Sequence, residues 1–182
     1  MREGSKTEAR PIPAPWSRPE AAHCRARWLG AALLAITPTA GEAQDDHRWK
    51  TYTNARYGFS VCYPADFLEA QPEPDMGDGR SFTGRNGSKL AAWASFNTLD
   101  WTASKAARMD EERLAGKSGV VSYKVVKANA YVLSGRSGQT IFYNRTVLAH
   151  GTFSTVELVY PAADSAIWDP IAARLSRCLK PG

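Results

Sequence analysis

Residues 120–160 read VVSYKVVKANAYVLSGRSGQTIFYNRTVLAHGTFSTVELVY, and this pattern decides the fold. Four β-rich runs, Val120 to Val126, Ala130 to Ser134, Thr140 to Ala149 and Thr152 to Tyr160, alternate with the turn formers Lys127-Ala128-Asn129, Gly135-Arg136-Ser137-Gly138 and His150-Gly151. Branched and aromatic side chains suit a pleated, half-buried surface, and short turns return the chain antiparallel to itself. An antiparallel meander is therefore expected.

Upstream, Gly79 to Thr83 and Lys89 to Phe96 flank Asn86-Gly87, whose readiness to take positive φ marks a hairpin. Between hairpin and meander, Asp100 or Thr102 can cap a helix running to about Ala115, with Ala106, Ala107, Met109, Arg113 and Leu114 on its inner side and Gly116 closing it. After Pro161, the recurrence of Ile167, Trp168, Ile171, Leu175 and Cys178 at three and four predicts a second helix. Its Pro170 suits the first helical position behind an Asp169 cap, with residues 164–168 as a preceding turn.

Nearer the start, Lys50 to Thr53 alternates and Asn54-Ala55-Arg56 reads as a turn. Tyr57, Phe59, Val61 and Tyr63 then share one face at period two until Pro64 stops the strand. Cys62 points to the opposite face, which a helix carrying Cys178 would cover. Phe67 to Gln71 suits a short strand, and residues 72–79 form a loop by composition. Strands in runs with helices set apart indicate an α+β fold, a twisted antiparallel sheet of about six strands with two helices packed on it.

The run Tyr52-x-Asn54-x-x-Tyr57-Gly58-Phe59-Ser60-Val61-x-Tyr63-Pro64, followed by a Gly-rich loop and a Phe in the next strand, resembles the opening of PsbP-like domains. Many exported bacterial proteins without assigned function carry such domains. The order of elements is similar over roughly residues 48–180, while the specific motif covers only its thirteen positions. The resemblance implies a PsbP-like fold and a non-catalytic binding or assembly module. It carries over neither the role nor the metal ligands of photosynthetic members.

The first 27 residues are basic and proline-rich, and Trp28 to Ile36 (WLGAALLAI) is short and apolar. Thr37-Pro38-Thr39 and then Ala40-Gly41-Glu42-Ala43 follow it. These are the parts of a secretory signal peptide, with cleavage expected after Ala43, or alternatively after Ala40. The apolar run is about half of the ~20 residues that span a hydrocarbon core, so no stable membrane insertion is expected once the signal is removed. Residues 44–182 are then one globular domain, periplasmic or secreted. The first 43 residues hold six of the 23 basic and four of the 18 acidic side chains, which leaves the remainder near +3. Those charges alternate without a run of five of one sign, so no nucleic-acid partner is implied.

Removing the leader also removes Cys24, leaving Cys62 and Cys178 as an even pair in an oxidising compartment. A bridge would tie the closing helix to the opening strand. The alternative is two buried free thiols, and the spacing is not that of a redox motif.

Chemistry is sparse. Beyond the leader only His47 and His150 occur, neither with a ligand at helical spacing, so no metal or other cofactor is expected. No nucleophile elbow or phosphate loop is present. Tyr and Trp combine an apolar body with a polar tip, which makes Trp49, Tyr57, Trp93 and Tyr143 the candidate binding surface. The expected function is an exported, non-enzymatic binding or assembly module of the cell envelope or periplasm, with an envelope protein as partner. The rival is a small secreted hydrolase assembled across the fold from Ser137, His150 and Asp78.

Overall fold

The computed structural model describes residues 47–182. The signal peptide and both expected cleavage positions lie outside the described residues. The chain opens with β1 (Trp49–Thr53) and β2 (Ser60–Pro64), an antiparallel ribbon in register Tyr52↔Val61. Asn54, 1% exposed, organises the turn between them. Its backbone N donates to Phe59 O at 2.9 Å and its Oδ1 accepts from Tyr57 N at 2.8 Å. Its Nδ2 donates to Tyr52 Oη at 2.9 Å and Gly77 O at 3.0 Å. Gly58 takes φ 71°, a conformation that strains any residue with a Cβ. The Tyr-x-Asn-x-x-Tyr-Gly-Phe motif is thus a turn whose polar groups satisfy one another.

The main sheet comprises β3 (Leu68–Ala70), β4 (Gly79–Gly84), β5 (Lys89–Phe96), β6 (Val120–Lys127), β7 (Ala130–Ser137), β8 (Thr140–Ala149) and β9 (Thr152–Pro161). Its seven strands run β3-β4-β5-β9-β8-β7-β6, every neighbour antiparallel. The expected meander is β6 to β9, and the expected hairpin is β4 and β5, turning where Asn86 and Gly87 take φ 57° and 80°. The fold is α+β, as the sequence implies, with seven strands in the sheet where about six are expected. The opening ribbon stands apart as a second, two-stranded sheet.

Helix α1 (Ala103–Ala115) is capped by Thr102, whose Oγ1 accepts from Lys105 N at 3.2 Å, and it closes at Gly116. Helix α2 (Ser165–Cys178) corrects the sequence reading. Pro170 lies inside it rather than at its first position, and Asp169 is not its cap. A proline there removes a single N–H bond, whereas starting at Ser165 places Trp168 on the helix. Trp168 stacks on Tyr160 with ring centroids 6.0 Å apart and meets Phe67 edge-on at 5.9 Å. The Asp169 carboxylate accepts instead from Tyr160 Oη at 2.6 Å.

Strand register sorts the core into two faces. Leu90, Val156, Leu158 and Tyr160 share one face with Tyr143 and Val147, and the ribbon and α2 cover it with Tyr52, Phe59, Val61, Ile171 and Leu175. Cys62 and Cys178 join ribbon to helix in a disulfide, Cα to Cα 5.7 Å. On the other face, Tyr131 and Leu133 bury Ala103, Ala106 and Ala107 of α1.

Candidate binding groove

Helix α2 crosses only part of its face, which leaves the floor formed by β6, β7 and β8 open beside it. Three cross-strand rows make this floor: Tyr123, Ser134 and Tyr143; Val125, Val132 and Arg145; Lys127, Ala130 and Val147. Ala173 and Ser176 of α2 form the wall, small side chains that leave a cavity of about 540 Å³. That volume lies within the range of small-molecule sites.

The groove holds two buried polar atoms without a well-formed hydrogen bond. Tyr143, 8% exposed, has a buried hydroxyl that faces Ser176 of α2 without a well-formed hydrogen bond, and Arg145 Nε is buried and unpaired. Orphaned buried donors are rare in folded proteins because each has lost water without replacement. Burial pushes the Tyr143 phenol up from its usual pKa, with the Arg145 charge and the Ser176 hydroxyl acting in the opposite sense, so at neutral pH it remains an O–H donor. Arg145 and Lys127 are the cations lining the groove, and no carboxylate lines it.

The densest polar cluster lies on the opposite face and is structural. Tyr131 Oη donates to Asp110 Oδ2 at 2.6 Å, and Arg113 donates to Asp110 Oδ1 at 3.0 Å and to Glu157 Oε2 at 2.6 Å. Asn144 Nδ2 reaches the same Glu157 oxygen at 3.4 Å, and Lys124 pairs with Glu111. These groups satisfy one another and fasten α1 to the sheet.

The four aromatics expected to share a surface are dispersed. Trp49 lies on the ribbon under Arg174, 4.2 Å from ring centroid to guanidinium carbon, and Tyr57 packs on Phe96 at 5.0 Å. Trp93 pairs with Thr155 and so faces away from Tyr143, which pairs with Leu158. Of the four, Tyr143 alone enters the groove.

The hydrolase set is also corrected. Ser137 pairs with Thr140 at one end of β8, and His150 follows Ala149 at the other. A strand rising about 3.3 Å per residue puts roughly 30 Å between them, where proton transfer needs hydrogen-bond contact. His150 Nδ1 donates to Gly182 O at 3.0 Å, and the Asp78 carbonyl accepts from Ala94 N at 2.9 Å. Among the described residues, no three His, Cys, Asp or Glu side chains are grouped closely enough to hold a metal ion. His47 Nδ1 and Asp66 Oδ2 are 2.8 Å apart, forming a pair.

With this geometry in place, the architecture finds a counterpart of known structure. The solution structure of cyanobacterial PsbP (CyanoP) from Synechocystis sp. PCC 6803 superposes at a TM-score of 0.58, covering 79% of this chain and 98% of that one. The fold is PsbP-like. Identity over the match is 11%, so the likeness is one of fold alone. No family model matches the sequence, and no curated protein does. No helix among the described residues is long and apolar enough to cross a membrane.

Within this PsbP-like fold, sequence reasoning found Tyr143 but missed Tyr123, Val125, Lys127 and Arg145. One signal was available: period two across β8 places Arg145 between Tyr143 and Val147, a cation on an otherwise core-facing side.

Proposed function

We propose that the chain is exported and acts outside the cytoplasm as a non-enzymatic binding module of the envelope, with the groove beside α2 as its site. The observation that carries this reading is the 540 Å³ groove, lined by no carboxylate, in which Arg145 Nε is buried without a hydrogen bond and the Tyr143 hydroxyl is engaged only weakly, by Ser176. Buried donors left without a hydrogen bond are uncommon in folded proteins. Support for export comes from the basic leader, the short apolar run and the small residues before Gln44, together with the Cys62–Cys178 bridge, which suits an oxidising compartment.

Two measurements test the proposal. Cell fractionation followed by mass spectrometry should find the protein outside the cytoplasm, beginning at Gln44 and carrying no free thiol. A photo-crosslinking residue in place of Tyr123, at the mouth of the groove, should give a discrete adduct in living cells, with none from the same residue at Lys89. Cytoplasmic retention would refute export, and no adduct at Tyr123 would refute the site.

A further inference from the structure

We propose that the groove beside α2 binds one small amphiphile with an anionic oxygen head and an apolar body, of which a medium-chain carboxylate is the simplest example. This rests on reading the groove as the binding site and specifies what enters it.

The floor dictates the apolar part. Val125 and Val132 are cross-strand partners, and Val147 lies diagonally from Val132 in the next row beside Ala130, with Tyr123, 56% exposed, at the open side. An acyl or aryl body laid over this patch removes apolar surface from water on both partners.

Charge dictates the head. Arg145 occupies the middle of the floor beside Val132 and is paired with no carboxylate among the described residues. On the other side of the sheet, Asp110, Glu111 and Glu157 are engaged with Tyr131, Lys124 and Arg113 respectively. A half-buried guanidinium without a counter-ion is costly, and a carboxylate answers its fork of donors more fully than a neutral group does. Tyr143, two residues along the same strand and face, lines the same space, where its O–H is engaged only weakly by Ser176. A single anionic head can accept from both.

A protein strand as occupant is less well matched. The β6 edge beside the groove is bulged between Val121 and Tyr123 and carries Lys124 and Lys127, features that oppose edge-to-edge pairing.

The test titrates the purified protein with sodium octanoate by calorimetry, beside acetate, which has the head without the tail, and 1-octanol, which has the tail without the head. Octanoate should bind saturably at one per chain and at least tenfold more tightly than either comparator. NMR shifts should centre on Val125, Val132 and Val147. Arg145→Met should weaken octanoate at least tenfold and leave 1-octanol unchanged. Lys127→Ala, at the exposed rim, should weaken octanoate several-fold in a salt-dependent way. Absence of saturable octanoate binding, equal affinity for 1-octanol, or no loss in either variant overturns the proposal. So does a dimer, seen by sedimentation, that closes the groove. If the Tyr123 crosslink captures a discrete partner while octanoate fails, the ligand class is wrong and the site stands; if both fail, both fall.

Discussion

Arg113 on α1 and Glu157 on β9 meet at 2.6 Å, and this ion pair ties the helix outside the disulfide to the middle of the sheet. The Arg113 side chain is 47% exposed, so solvent screens the pair, while Glu157 at 17% is more enclosed. Glu157→Gln should cost about 1 kcal/mol, the upper end for exposed pairs, and lower the melting temperature by about 2–4 °C. A double-mutant cycle with Arg113→Met should return a coupling of about 0.5–1 kcal/mol. Strictly additive single-site effects would show that the pair contributes nothing.

The Cys62–Cys178 bridge closes a separation of 116 residues. The chain-entropy account gives up to about 4–5 kcal/mol for such a loop, chiefly by restricting the unfolded chain. Replacing both cysteines with serine should therefore remove several kcal/mol, measured by denaturant titration. Adding a reductant to the wild-type protein should produce a similar loss. A double-serine protein as stable as the oxidised wild type would contradict this.

Tyr131 and Tyr160 define an alkaline limit. Burial and then the hydrogen bonds to Asp110 and Asp169 push both phenols well above the ordinary tyrosine pKa. The unfolded chain releases these protons first, near pH ~10, whereas the folded chain retains them. Their contribution is therefore complete below pH ~10 and declines as pH rises from there through the folded values. Denaturant titrations on either side of pH ~10 should show a steeper decline for wild type than for Tyr131→Phe or Tyr160→Phe. Equal slopes would remove these two residues from the account.

Gly135 sits where β7 passes β6, and a Cβ there would lie 2.0 Å from Val120 O and 2.7 Å from the Phe142 ring. Gly135→Ala must push β6 outward, at about 1–3 kcal/mol for an overpacked site. Amide exchange should accelerate over β6 ahead of β8 and β9. Because β6 carries Val125 and Lys127, octanoate affinity should fall as well. Unchanged β6 protection would show that the strand accommodates the methyl.

The four-strand meander, the hairpin at Asn86-Gly87, the Thr102 cap and the pairing of Cys62 with Cys178 were legible from sequence because each depends on short-range rules or a simple count. Period two already sorts Tyr143, Arg145 and Val147 onto one face, and a turn former already marks where a strand must reverse. Other features exceed local rules. Pro170 reads as a helix start until the packing of Trp168 on Tyr160 and Phe67 outweighs one missing N–H bond. The opening ribbon alternates like a strand of the sheet, yet its own pairing and its seat on Phe82 set it apart. The groove was least legible, because Val125, Val132 and Arg145 are neighbours only through cross-strand register. Alternation along a strand sets which side chains share a face, acting between residues two apart. How far α2 covers that face, and so whether Arg145 and Tyr143 end in a core or in an open groove, is decided by packing between segments distant in the chain.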